Sequence, residues 1–222
     1  MRSVPPSASE KRAIRHAAFR RRLLEGVEGR LNEGAVYSEL TVEQIASDAG
    51  VSRSTFYLHF RDKSHLLEEF FADVVGDITD AARGWWDLPP DAGYDDVHDA
   101  IRNMLVVCRP HAALMSAVTE AAGYEPALRA HLDALITEGA GEVEQHILHG
   151  QARGSVRAFP APTSVAAWLA WTAERGMGKL LPNTDDAALA ELSLGLTTII
   201  WSTLYDGTGR PGSGGRDDGS GA

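Results

Sequence analysis

The stretch "LTVEQIASDAGVSRSTFYLHFRDK", residues 40–63, constrains the fold more tightly than any other part of the chain. Thr41 and Gln44 stand three residues apart, the spacing of a reciprocal capping box. A helix is therefore expected to start at Thr41 and to bury Ile45, Ala46 and Ala49. Gly50 can take the positive φ of a tight turn. Ser52 then caps a second short helix, which ends near Phe60. Asp62 caps a third, whose apolar positions Leu66, Phe70 and Val74 continue the helical spacing.

Two short helices across a glycine turn make a helix-turn-helix, in which the second helix enters a DNA major groove and the first braces it. Phe56 and Phe60 are four residues apart and serve as core anchors. The other side of the same segment carries chemistry suited to DNA. Arg53 can fork onto guanine edges, while Ser54 and Thr55 are short enough to allow close approach. Tyr57, His59 and Lys63 can reach phosphates. The charge distribution agrees. The chain has a net charge of −10, yet residues 1–63 hold 11 Lys/Arg against 8 Asp/Glu, and the remainder holds 10 against 23. An acidic body repels DNA, so nucleic acid is held only through the N-terminal part.

The rest of the chain reads as helical almost throughout. The first helix is expected over about Glu10–Glu33, with Phe19, Leu23, Val27 and Leu31 as its stripe and Gly34 as its stop. After "WWDLPPDAGY" come helices over about Asp95–Cys108, Pro110–Ala122 and Glu125–Gln151, the last burying Leu128, Leu132, Leu135, Ile136, Val143 and Ile147. Two more follow, in "TSVAAWLAWTAERGMGKLL" and "DDAALAELSLGLTTIIWSTLY". The final one is apolar nearly all round and needs cover on two sides, which a second copy of the chain can supply. Four segments are expected: disordered tails at 1–9 and 207–222, a DNA-binding domain at 10–62, and a helical body at 63–206. Charges interrupt every candidate membrane span, and no secretory signal is visible. A single cysteine, Cys108, rules out an internal disulfide framework and fits the cytoplasm.

"LTVEQIASDAGVSRSTFYLHFRDKSHLL" resembles the DNA-binding motif of the TetR family of one-component regulators. The resemblance implies an all-α homodimer of about nine helices, paired through the last two helices of each subunit. A C-terminal cavity for a small effector and a palindromic operator come with it. By the same resemblance, Thr41, Ser52, Tyr57, His59 and Lys63 are phosphate contacts, and Arg53, Ser54 and Thr55 are base readers.

"WTAERG", "IIWSTLYDG" and a long central helix ending in "ARG" are similar to the subgroup of repressors that control ethionamide activation, whose cavity is elongated and mostly apolar. That likeness implies a lining of Val97, Ile101, Met104 and Cys108, then Leu132, Ile136, Gly139, Val143 and His146. Ala173, Glu174, Met177 and Trp201 complete it. Gly139, Ala173 and Gly178 are smaller than the residues usual at those positions, so a wider cavity and a bulkier effector are expected.

Other constellations carry less. Glu142, His146 and His149 have the i, i+4, i+7 spacing of metal ligands but lack a fourth ligand nearby, and no metal or cofactor is expected. Cys108 follows "MLVV" and reads as a buried thiol rather than a redox sensor. Glu174 sits in an otherwise apolar helix and needs a partner, structural or ligand. Most of the five tryptophans are expected in the core or dimer interface. With no phosphate loop, HExxH or nucleophile elbow, the chain is not expected to be an enzyme. The expected function is a repressor released from its operator by a small apolar effector. The alternative is a DNA-binding regulator whose body is merely a dimerisation block with a filled core.

Overall fold

The computed structural model describes residues 7–158 and 161–208, and most of the two expected tails lies outside them. Among the described residues there are nine α-helices and no strand. They are α1 (Ala8–Asn32), α2 (Val42–Asp48), α3 (Arg53–His59), α4 (Lys63–Trp86), α5 (Tyr94–Cys108), α6 (Ala112–Ala121), α7 (Pro126–Arg153), α8 (Pro162–Leu180) and α9 (Asp186–Leu204). Single 3-10 turns at Tyr37–Glu39 and Arg109–His111 precede α2 and α6. The all-α expectation holds, with shifts of at most two residues at the ends. Ala8 and Ser9, expected in the tail, already belong to α1. Pro110, expected to open α6, lies in the 3-10 turn before it.

Local chemistry sets the boundaries around the N-terminal helices. Thr41 Oγ1 accepts from the Gln44 amide at 3.2 Å, and the Gln44 side chain accepts from the Thr41 amide at 2.8 Å, closing the capping box. Gly50 has φ +65°, which a residue with a Cβ adopts only under strain. Ser52 and Asp62 accept from the amides three residues on and start α3 and α4. Phe56 and Phe60 are buried and pack 5.4 Å apart, and Phe60 meets Phe70 of α4 edge-on at 6.2 Å.

The remaining helices form a bundle in which α4, α5, α7 and α8 surround the C-terminal core. Helix α7 lies along α8, while α9 covers α5. Helix α9 differs from the sequence reading, because by length and composition alone it is apolar enough to cross a membrane. Its inner face carries buried Leu189, Ile200 and Leu204 with Ser193 and Thr197, whose hydroxyls bond back to helix carbonyls. Its outer face leaves Leu194 and Ile199 about half exposed.

Two ionic contacts tie α1 to the body. Arg20 bridges Glu69 at 2.8 Å and Asp73 at 2.5 Å, both on α4. Glu28 meets His111 Nδ1 at 2.6 Å, with both side chains mostly buried. The hydrogen bond to Glu28 raises the His111 pKa above the ordinary imidazole value, against the opposing effect of burial. A raised folded-state pKa gives stability that is complete below the unfolded value, about 6.5, and is lost as pH rises through the folded one. Thermal unfolding should therefore show stability falling from pH 6 to pH 8, and His111→Gln should flatten that fall. Identical slopes for the two proteins would contradict the clamp.

Candidate DNA interface and ligand cavity

Helix α3 presents one face outward and buries the other. Arg53, Ser54, Tyr57 and His59 are exposed, and Leu58 is the most exposed large apolar side chain among the described residues. Thr41 and Ser52 stand at the N-termini of α2 and α3, where free amides suit a phosphate. Thr55 is half-buried and its hydroxyl is 2.8 Å from Ser52 Oγ, which makes it part of the cap. His59 packs at a tilt against Phe19 at 4.5 Å and His16 at 5.2 Å, so α1 fixes its orientation. Arg53 lies over the Tyr57 ring, 5.5 Å from its centroid, and pairs with Glu43 of α2 at 2.5 Å.

Lys63 is placed differently from the other candidates. Its ammonium donates to the carbonyls of Tyr37, Ser38 and Leu40 at 3.3, 2.5 and 3.1 Å, which uses all three N–H groups. In return the Tyr37 hydroxyl donates to the Lys63 carbonyl at 2.5 Å. Burial raises the Tyr37 pKa, so that hydroxyl keeps its proton. Lys63 is therefore committed to the joint between the helix-turn-helix and α4, and a phosphate there must displace a carbonyl.

The body encloses an apolar cavity of about 150 Å³. Eight of the expected lining residues are on its wall: Ile101, Met104, Ile136, Gly139, Val143, Ala173, Glu174 and Met177. Five are not. Val97 and Leu132 lie one turn before the cavity on α5 and α7, and Cys108 one turn beyond it; all three are packed solid. Burial pushes the Cys108 thiol up to about 12, the state of an inert side chain. Trp201 packs edge-on against Tyr94 at 5.4 Å and is tilted against Tyr205 at 5.3 Å.

His146 turns away into a separate polar pocket with Glu142, His149 and Arg153. Trp85 Nε1 donates to the Tyr205 hydroxyl at 2.8 Å, which leaves Tyr205 to donate to His146 Nε2 at 2.6 Å. His146 Nδ1 then faces the Trp86 carbonyl at 3.3 Å. Among the described residues no cluster has the makings of a metal site.

Gly178, expected to widen the cavity, is not on its wall. A Cβ there would meet the α6 backbone at Ser116 N, 3.6 Å away. That glycine brings α8 close to α6 and widens nothing. Gly139 does leave space, since a Cβ at that position meets no atom within 4 Å.

The inner face of α4 is the part that sequence reasoning missed. Phe71, Val75, Ile78, Ala82 and Trp85 line the cavity at spacings of four, three, four and three. That period was present in the sequence beside the stripe Leu66, Phe70, Val74. Trp86 shares the wall, and its Nε1 is buried with no hydrogen-bond partner among the described residues. Thr79 and Glu174 are the polar side chains of this lining apart from the tryptophan N–H groups.

Residues 36–70 match the family described as bacterial regulatory proteins, tetR family. An uncharacterized HTH-type transcriptional regulator of Mycobacterium tuberculosis is 27% identical over 158 residues, 70% of this chain and 71% of that relative. A transcriptional regulator from Saccharomonospora viridis, solved in complex with choline, shares the fold with a TM-score of 0.66. It is 18% identical, covering 84% of this chain and 97% of that one. The fatty acid degradation regulator FadR from Bacillus halodurans gives a TM-score of 0.63 at 17% identity, over 82% and 94% of the two chains.

Two substitutions probe these sites. Glu43→Gln removes a carboxylate from the α3 side of the molecule and frees Arg53. DNA affinity at fixed salt should rise severalfold, with stability changed by less than about 0.5 kcal/mol because the pair is exposed. Unchanged or weaker binding would contradict the placement of that face on DNA. Gly139→Ala fills open space in a helix interior and should stabilise the fold by about 0.5–1 kcal/mol in denaturant unfolding. A loss of stability would mean that the cavity wall is tighter than described.

Proposed function

The chain belongs to the TetR family of DNA-binding transcriptional regulators, and on that premise we propose that it is a homodimeric repressor released from a palindromic operator by a small effector. The observation that carries this reading is the double engagement of α4. Its first residue, Lys63, is locked to the turn before α2, and its later turns, from Phe71 to Trp86, form one wall of the cavity. A ligand that changes how α4 sits against α5 and α7 therefore changes where α3 points. It acts only through its different affinity for the two arrangements. Adjacent major grooves recur about every 34–36 Å, so a shift of a few ångströms between two α3 helices is enough to break the match. The choline bound to a regulator of the same fold supports a small-molecule effector.

The uncovered face of α8 and α9 supports the dimer. Trp168, Trp171 and Leu180 on α8 join Leu194 and Ile199 on α9 as exposed apolar residues. Gly176 and Gly195 line the groove between these helices and allow close approach of a second copy. Its place of action is the cytoplasm, where the operator is.

Selection of bound fragments from a random DNA pool tests this reading. A palindrome with half-sites about one helical turn apart is expected. Ile199→Glu should give a monomer by sedimentation and lose that selectivity. Arg53→Ala should weaken binding by about 1–3 kcal/mol and relax preference at one base pair of each half-site. Enrichment of no motif, or full selectivity in a monomeric variant, would overturn the dimeric reading.

A further inference from the structure

We infer that the effector is a lipophilic cation: a compact apolar body carrying one ammonium or amidinium group that pairs with Glu174. This rests on the reading of the cavity as the effector site and specifies what fills it. Among the described residues, Glu174 is the single ionisable side chain on the cavity wall, which holds no Lys, Arg or His. It lies on α8 and is half-buried among Leu169, Ala170, Ala173 and Met177. Among the described residues its hydrogen-bond partner is Thr119, whose Oγ1 lies 2.9 Å from Glu174 Oε1 and 3.0 Å from the Met115 carbonyl. A hydroxyl has one proton, so Thr119 donates to only one of these acceptors at a time. A carboxylate has about four acceptor sites, and the protein fills at most one here. Among the described residues no cation pairs with it. With acceptor sites to spare, this half-buried carboxylate can take a charge-assisted hydrogen bond from a ligand.

Two further features favour a cation over a neutral donor. Phe71, Trp85 and Trp86 place aromatic rings on the wall, which attract a positive charge through their faces. The cavity also shares Val75, Thr79, Leu135 and Gly139 with a cleft between α4 and α7. Gly76 and Gly139 leave that cleft open, and it carries Asp80, Glu138 and Glu142 against a single Arg83, which Asp80 already engages at 3.3 Å. A mouth of that sign gathers cations and repels carboxylates. The volume sets the size of the body, since a cavity of about 150 Å³ suits a single benzene-sized ring.

The test titrates the full-length protein at pH 7 with phenethylammonium, its neutral isostere propylbenzene and the anion 3-phenylpropanoate, followed by tryptophan fluorescence. Phenethylammonium should bind about tenfold or more tightly than propylbenzene, and 3-phenylpropanoate should not bind. Glu174→Gln keeps the shape and an acceptor for Thr119, and should bring the ratio of the first two close to one. Equal or tighter binding of propylbenzene to the unaltered protein overturns the cationic assignment and leaves the apolar effector cavity standing. So does a preference for phenethylammonium that survives Glu174→Gln. Failure of all three to bind overturns both. The ratio in the unaltered protein decides the matter even if the variant does not fold.

Discussion

Tyr37 and Lys63 each bind the other's backbone, and the rest of the molecule is arranged around that exchange. The tyrosine hydroxyl holds the first carbonyl of α4, while the lysine ammonium gathers three carbonyls from the turn that leads into α2. Hydrogen bonds to a charged group contribute about 1.5–3 kcal/mol each when well made. Three on one ammonium hold the start of α2 and the start of α4 in one geometry. The orientation of the DNA-facing helix α3 is thereby referred to the axis of α4. Burying the Tyr37 ring, which is 4% exposed, keeps water from competing for these bonds.

From that joint α4 runs 24 residues into the body, and different turns do different work. Leu66, Phe70 and Val74 close the core of the N-terminal helices, with Phe70 against Phe60 and under the Arg20 guanidinium. Phe71, Val75, Ile78, Ala82 and Trp85 face the cavity. The last turn is held by the chain from Trp85 through Tyr205 to His146, which pins α4 to α7 and to the end of α9. A rod fixed at both ends and hollow beside its middle is suited to the effector response proposed above. Arg20 ties α1 to the same helix, and Glu28 ties it to His111 ahead of α6.

How much of this the sequence disclosed depended on how local the cause was. The capping box at Thr41, the glycine turn at Gly50 and the caps at Ser52 and Asp62 involve residues three or four apart, and each was legible. Lys63 was not, because its partners lie about 25 residues earlier and look like an ordinary loop. The cavity was half legible. Ile101, Met104, Ile136 and Val143 were placed on its wall, but the ends of the void depend on how helices cross. Val97 and Cys108 on α5, and Leu132 and His146 on α7, share faces with true lining residues and miss the void by about one turn. The inner face of α4 had a readable period. It was overlooked because the adjacent stripe already explained why the helix should be buried.

On the proposed function, the cavity and the DNA face are two ends of one equilibrium carried by α4. Linkage requires that a cavity ligand and the operator weaken each other by the same factor. The most direct measurement is the dissociation constant of a cavity-bound molecule, read by tryptophan fluorescence, with and without saturating selected operator. Ligand binding is expected to be weaker in the presence of operator, by the factor the ligand imposes on operator binding. Equal affinity in both conditions would contradict it, and would leave the cavity as a void unconnected to DNA.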